Sequence, residues 1–511
     1  MSGVRKHARN LLANWVGQAA GMVVVFLLSP FVVHTLGKTE YGLWGLLNVF
    51  TGYLGVFDLG VRASTGRYII LYLGKGDHQR VGETLRTGLV FFSLVSLLIL
   101  LVAVGISWAF PYIFPSVPAG YHGMVRVLLP LLALNVWLSA VSGAFSSILA
   151  AHDRFDLSNA VDISILVLRT AGTVAVLLAG YGIVGMTLVT VGATALAAVA
   201  TWGVAKWVYP ALRLRPLRMS KDRMRELFSF GIAAFVGNIV GMLVGRTDLV
   251  VVGALLGVSA VAIYNVGATA VWYSWPFIGQ VMGTIFPSLQ RSVGAEAHDD
   301  VRWTYVRMMK MVFLVGLPMY LGFAYFGDSF IRLWMGEEFA EAFVVLAVLS
   351  AARMVKMYSA APSNLLYAKG NVWWLTLVGL VFALVNVGAS VTLVMWLHWG
   401  LVGVAAGSLI AACLSAPVYL RYASQKAGLR AKALLVQVFL PAAAVAAAFA
   451  GWCLLVRWWV PGGTWPWFAA QVAVALLGYA AIAAALLVPR SDRARVWKVL
   501  GVARAAAGPK P

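Results

Sequence analysis

The chain is built from long, nearly uncharged apolar segments joined by short connections. A helix needs about 20 mostly apolar residues to cross the hydrocarbon core of a bilayer. Hydrophobic residues make up 61% of the chain and charged residues only 11%, whereas soluble domains carry about 25% charged residues. The sequence therefore predicts an all-α membrane protein with about fourteen transmembrane helices. The predicted spans lie near residues 11–35, 40–60, 87–111, 124–150, 157–178, 182–205, 228–252, 259–287, 311–331, 342–368, 372–397, 400–420, 433–456 and 466–489.

The basic residues predict which side of the membrane each connection faces. Of the 39 Lys and Arg residues, 31 lie in segments on the side that includes both termini, four in the opposite loops and four within predicted spans. Because basic loops stay in the cytoplasm, both termini are predicted to be cytoplasmic. This distribution also accounts for the formal net charge of +21 without a nucleic-acid partner, since the charges form no basic face.

An internal repeat divides the chain. A shift of 220 residues aligns Leu36-Gly37 with Leu256-Gly257 and Tyr53 with Tyr273. That offset covers six predicted helices, so it predicts two parallel six-helix lobes with two further helices at the C-terminus. Two lobes around a cleft suit alternating access. The predicted parts are an N-lobe (1–209), a basic cytoplasmic linker (210–227), a C-lobe (228–425), helices thirteen and fourteen (426–489) and a basic cytoplasmic tail (490–511).

Three stretches resemble a known family. Residues 38–69 read KTEYGLWGLLNVFTGYLGVFDLGVRASTGRYI, residues 246–267 read RTDLVVVGALLGVSAVAIYNVG, and residues 331–371 run from the end of the predicted ninth helix through the tenth. In order and spacing they are similar to oligosaccharide flippases of the O-antigen and polysaccharide type. These form the polysaccharide transport family of the multidrug/oligosaccharidyl-lipid/polysaccharide exporter superfamily.

The resemblance implies a function. Such proteins move a lipid-diphosphate-linked oligosaccharide from the inner to the outer leaflet of a bacterial plasma (inner) membrane, for cell-surface polysaccharide biosynthesis. It also implies a central cationic cavity and a drive by an H⁺ or Na⁺ gradient, with no bound cofactor. The partners implied are an undecaprenyl-diphosphate-type lipid-linked oligosaccharide, membrane lipids, and a glycan polymerase or other biosynthesis proteins. Nucleic acid is not expected.

Four cations lie inside predicted spans, where an ionisable side chain is costly and is a functional candidate by default. Arg353 and Lys356 are three residues apart on one helix, so both project from one face, and no acid lies within two turns of them along the chain. This pair suits a diphosphate or an acidic sugar; the alternative is pairing with an acid on another helix or with water. Arg246 and Arg169 are the other intramembrane cations predicted to bind substrate.

Two intramembrane acids are candidates for ion coupling or gating. Asp248 lies two residues from Arg246, so the two side chains point in different directions. Asp248 could serve as a proton or cation site, or it could neutralise an Arg of a neighbouring helix. Asp162 and Arg169 are seven residues apart, hence on one face but about 10 Å apart along the axis, with room for water or substrate between them.

A third group lies at the inner end of the second predicted helix. Asp58 begins the stretch DLGVR, Arg62 ends it, and Arg67 follows one turn later. The resemblance suggests that this stretch forms part of a cytoplasmic gate. Arg62 is also predicted to contact the substrate. The alternative is interfacial anchoring and helix termination at Gly60.

Several other functions were weighed against flipping. A multidrug exporter of the same superfamily would need an acidic cleft, but more than three residues from either end of the predicted spans lie four cations and only two acids, Asp162 and Asp248. A flippase of the lipid II type is a close alternative. A membrane-embedded glycosyltransferase or polymerase needs a sizeable external loop, and the predicted loops are short. The sequence has no Walker-type phosphate loop and no metal-binding His/Cys spacing, so we expect neither an ATP-driven pump, nor an enzyme, nor a metal site.

Overall fold

A computed structural model describes residues 2–55, 61–212 and 219–486, and all the regular structure in these ranges is helical. Within them, eleven helices are long and apolar enough to cross a membrane. The protein is therefore a multi-pass, all-α membrane protein, as predicted. The helices are α1 (Ser2–Gly55), α2 (Val61–Gly74), α3 (His78–Ile113), α4 (His122–Ala151), α5 (Phe155–Leu178), α6 (Gly182–Val208), α7 (Lys221–Leu255), α8 (Val258–Gly294), α9 (His298–Met335), α10 (Ala342–Ala368), α11 (Val372–Met395), α12 (Gly400–Ala427), α13 (Ala431–Leu434), α14 (Leu440–Trp459) and α15 (Trp465–Leu486).

The first two predicted spans form one kinked helix. α1 runs from Ser2 to Gly55, and its backbone leaves helical geometry at Gly37, where φ is 70° and ψ is 172°. Only glycine adopts a positive φ without strain, so this residue can redirect the chain with no intervening loop. The third to twelfth predicted spans each fall in a separate helix, the thirteenth (433–456) covers parts of α13 and α14 with the π-helical residues Leu435–Phe439 between them, and the described part of the fourteenth falls in α15. The exact number of fourteen crossings stays a prediction.

The repeat offset reappears in the backbone. Described residues with positive φ recur at nearly constant separations along the chain. Helix starts do so as well: α3 and α9 begin 220 residues apart, and so do α4 and α10. Two copies of one helix arrangement would produce this equal spacing of helix breaks and helix starts. The pairs with positive φ include Gly37 and Gly257, Gly76 and Glu296, Gly180 and His398, and Gly182 and Gly400.

By contacts the chain divides into two compact units, Met1–Asn265 and Val266–Pro511. The predicted lobe limits at 209 and 228 follow the six-helix repeat instead, and they stay a prediction.

Small residues let the helices of the first unit approach closely. A Cβ on Gly66 of α2 would lie 3.1 Å from Ser147 Oγ of α4, and a Cβ on Gly42 of α1 would overlap the carbonyl of Val258 at the start of α8. Lipid tails are as apolar as leucine, so membrane helices associate through such close packing and through interhelical hydrogen bonds. These contacts hold α2 against α4 and the second half of α1 against α8.

The second unit uses the same device between α11 and α12. A Cβ on Gly407 would lie 2.8 Å from the backbone nitrogen of Ser390. The side-chain oxygen of Asn386, a buried residue, accepts from the hydroxyls of Ser390 at 3.3 Å and Ser408 at 3.4 Å. Polar groups in a bilayer need such partners, so these residues account for the pairing of the two helices.

Candidate functional site

Arg353 and Lys356 meet one aromatic ring in the second unit. The guanidinium carbon of Arg353 lies 5.3 Å from the centroid of the Trp275 ring, and Lys356 Nζ lies 5.9 Å from it. A cation within about 6 Å of an indole centroid is attracted by the quadrupole of the ring. The pair predicted to share a face of α10 therefore faces the same residue of α8. Its role in substrate binding stays a prediction.

The residue before Trp275 on α8 contacts α9. Ser274, next to it on α8, is 2% exposed, and Tyr320 on α9 is fully buried. Their hydroxyl oxygens lie 3.2 Å apart, and Ser274 Oγ also donates to the carbonyl of Val271 at 2.6 Å. α8 is thus tied to α9 at the residue that precedes the indole.

Asp248 also meets an aromatic residue, this time through a hydrogen bond. The hydroxyl of Tyr264 donates to Asp248 Oδ2 at 2.8 Å, and Tyr264 is fully buried. The adjacent Thr247 accepts at Oγ1 from the hydroxyl of Tyr53, at 3.3 Å. The carboxylate of α7 therefore lies in a polar cluster with α1 and α8, within the first unit. The coupling role of Asp248 stays a prediction.

Asp162 and Arg169 are both exposed on α5. The salt bridges between residues that the structure describes include neither of them. Exposure leaves both side chains open to water, lipid or substrate, so their predicted roles stay predictions.

The group at the inner end of the second predicted helix is only partly described. The side chain of Arg62 runs along α4, with its Cδ 3.5 Å from where a Cβ on Gly143 would stand. Arg67 is exposed, and its guanidinium carbon lies 6.0 Å from the ring of Tyr68. Asp58 lies outside the described residues. So does the side chain of Arg246, although its backbone forms part of α7.

A polar network that the sequence reasoning missed joins the start of α7 to α2 and α3. Tyr72 OH donates to Glu226 Oε2 at 2.6 Å, and Arg223 Nη1 donates to the same oxygen at 2.6 Å. Arg223 also lies against the Tyr72 hydroxyl, and its Nε is 3.8 Å from Glu83 Oε2. Burial raises the pKa of Tyr72, and the hydrogen bond to Glu226 adds to the rise. The available signal was the i, i+3 spacing of Arg223 and Glu226 within the most basic stretch of the chain.

Trp275 was also missed. The signal that could have singled out Trp275 is its place inside a predicted span (259–287), away from the ends where anchoring tryptophans concentrate.

Known proteins resemble this chain over most of its length. A family described as polysaccharide biosynthesis protein matches residues 32–345. A Shigella flexneri protein named as an O-antigen transporter is 21% identical over 71% of this chain and 85% of its own length. A Haloferax volcanii protein named as a flippase of low-salt glycan biosynthesis is 21% identical over 82% of this chain and 83% of its own.

The fold also matches a solved transporter. The structure of the lipid II flippase MurJ in an inward closed conformation superposes with a TM-score of 0.68, over 93% of this chain and 98% of that one, at 15% identity. That identity supports a shared fold only. The family match, which covers more than half of the residues, confirms the resemblance drawn from the sequence. This chain belongs to the polysaccharide biosynthesis protein family.

Proposed function

We propose that this protein flips a lipid-diphosphate-linked oligosaccharide from the cytoplasmic to the outer leaflet by alternating access. The family is one of polysaccharide biosynthesis, and the relatives are named as an O-antigen transporter and a glycan flippase. These findings indicate a transporter and not an enzyme. The single observation that supports the choice of an anionic headgroup is the pair Arg353 and Lys356 beside Trp275.

The charge of this pair favours a diphosphate over a cationic drug. Ionisable side chains within a membrane are expensive and mark substrate or ion pathways. A site for a cationic substrate would need carboxylates, and two cations together would repel it. A diphosphate offers several anionic oxygens that two cations can bind through charge-assisted hydrogen bonds.

We also propose where the protein lies in the cell and which molecules it works with. The Lys/Arg distribution supports cytoplasmic termini, and the bacterial plasma (inner) membrane is where a lipid-linked precursor of a surface glycan would be flipped. We expect an undecaprenyl-type carrier lipid, with a glycan polymerase or other biosynthesis proteins as partners downstream.

Ion coupling is proposed at Asp248. A carboxylate that accepts a hydrogen bond from Tyr264 can exchange that bond for a proton or a cation, since a protonated carboxyl no longer attracts the donor as strongly. A gradient of H⁺ or Na⁺ would then bias α7 between two arrangements. Flipping that is unaffected by both gradients would contradict this part of the proposal.

The central test is flipping in proteoliposomes. Undecaprenyl-diphosphate-linked oligosaccharide is supplied in one leaflet, and its arrival in the other is measured by the access of an added glycosidase. We expect Arg353→Ala and Lys356→Ala each to slow flipping about tenfold or more, because a charge-assisted contact is worth about 1.5–3 kcal/mol.

The charge-keeping variants Arg353→Lys and Lys356→Arg are the controls, and we expect both to retain most of the activity. If all four variants flip the substrate at the wild-type rate, these residues play no part in transport. If no variant and no wild-type protein flips it, while a cationic dye is exported, the protein is a multidrug exporter instead.

A further inference from the structure

We propose that Trp275 is a positioning residue that holds Arg353 and Lys356 side by side as a seat for a diphosphate. This inference rests on the proposed function, because it assigns a role within the same site. It adds a residue that binds no substrate charge itself but sets the direction of two that do.

Two cations on one helix face need something that keeps them together. Arg353 and Lys356 stand at i and i+3 on α10, where like charges repel. Both charges lie within 6 Å of one indole centroid, at 5.3 Å and 5.9 Å. Because the electron-rich face of the indole attracts each cation, a single side chain opposes the tendency of the pair to separate.

An aromatic ring suits this task better than an acid would. A carboxylate between the two cations would neutralise them and would compete with an incoming diphosphate for the same hydrogen-bond donors. An indole attracts cations through its quadrupole and carries no net charge. The indole itself therefore does not offset the positive charge that attracts an anionic headgroup.

The helix segment that carries Trp275 is anchored next to the indole. Ser274 and Tyr320 are buried, and their hydroxyl oxygens lie 3.2 Å apart, so α8 is fixed to α9 next to the indole. α9 in turn packs on α10, where a Cβ on Gly316 would lie 3.2 Å from Cε of Met357. The ring on α8 and the two charges on α10 are thus linked through α9 within the second unit.

A sharp test uses inorganic pyrophosphate as the probe. Its binding to the full-length protein in lipid nanodiscs is measured by calorimetry for wild type, Trp275→Phe, Trp275→Leu and the double variant Arg353→Gln/Lys356→Gln. Trp272→Leu is the matched control: Trp272 lies one turn earlier on α8, and none of the cation–π contacts among the described residues involves it.

We expect Trp275→Phe to keep the affinity within about threefold, because phenylalanine retains an aromatic face. Trp275→Leu should weaken it about tenfold, which corresponds to about 1.4 kcal/mol. The double variant should abolish binding, and Trp272→Leu should bind as wild type does.

A second readout keeps the idea falsifiable if Trp275→Leu unfolds. Labelling of Lys356 by an amine-reactive reagent, followed by mass spectrometry, needs only wild type and Trp275→Phe. We expect pyrophosphate to protect Lys356 from the reagent in both.

The failures can be told apart. If wild type binds pyrophosphate, the double variant does not, and folded Trp275→Leu binds as tightly as wild type, then the role of Trp275 is wrong and the anion site stands. If Trp275→Phe loses binding as fully as Trp275→Leu, the indole acts through its shape or its N–H group, and the cation–π role is wrong. If wild type shows neither binding nor protection, the anion site of the proposed function falls together with this inference.

Discussion

Asp248 and Arg353, two charged residues in predicted spans, each lie next to a buried or partly buried aromatic residue. Asp248 accepts a hydrogen bond from Tyr264 at 2.8 Å, and Arg353 lies 5.3 Å from the centre of the Trp275 ring. Neither partner carries a net charge, so each stabilises its neighbour without neutralising it.

We predict that the hydrogen bond between Tyr264 and Asp248 contributes measurably to the free energy of unfolding. Tyr264→Phe removes the donor and should lower the free energy of unfolding by about 1 kcal/mol, near the values found for interhelical hydrogen bonds in membranes. Unfolding in mixed micelles, followed by circular dichroism, gives this quantity. With Asp248→Asn added, the combined loss should be smaller than the sum of the two single losses. Strict additivity would show that the hydrogen bond contributes nothing to stability.

Close pairing of the helices depends on glycine positions, where no side chain separates the two backbones. α1 approaches α8 where a Cβ on Gly42 would overlap the carbonyl of Val258. Backbone cannot yield as a flexible side chain can, so the space at this position is fixed by the path of both helices. Close packing of this kind is a main source of helix association in lipid.

We therefore predict that Gly42→Ala destabilises the protein by about 1–3 kcal/mol, the usual cost of overpacking. Gly105→Ala is the matched control, because a Cβ on that residue of α3 would meet nothing within 4 Å. There the same change should raise helix stability by about 0.5–1 kcal/mol. Thermal unfolding of the two purified variants compares them directly, and equal midpoints would contradict the close approach at Gly42.

At the scale of the whole molecule, the repeat and the charge distribution make a joint prediction about topology. Helix starts recur 220 residues apart, and 31 of 39 basic residues lie on the side assigned to the cytoplasm. Loops separated by an odd number of crossings must then face opposite sides. Ala295, in the 288–310 segment, is predicted inside, and Glu338, in the 328–341 segment, outside.

Labelling with a membrane-impermeant maleimide tests this. Ala295→Cys and Glu338→Cys are placed singly in a background that lacks the two native cysteines, Cys413 and Cys453. In intact cells the reagent should modify only Glu338→Cys, and after permeabilisation it should modify both. Modification of Ala295→Cys in intact cells would reverse the orientation and would move Arg67 and the Tyr72 network to the outer side.

Much of the candidate site was accessible to sequence reasoning, but its contacts were not. Arg353 and Lys356 were identified because intramembrane charge is rare, and their shared face followed from the helical period. The partners Trp275 and Tyr264 were missed because each lies on a different helix from the charge it contacts. Apolar segments contain many aromatic residues, and the sequence does not show which of them meets a given charge. The network of Tyr72, Arg223 and Glu226 was missed for the same reason, since it joins residues about 150 positions apart.

The order of residues was enough to predict the class of the protein, most of its long helices and the 220-residue offset between similar segments. Each of these depends on local hydropathy, on glycine at a turn or on the spacing of similar segments, and all three are properties of the chain read in order. The packed helices were needed to show that one indole lies beside two cations, that a tyrosine donates to Asp248, and that Gly42 lies against a backbone carbonyl. Those facts depend on where helices pack, which distant parts of the chain determine together.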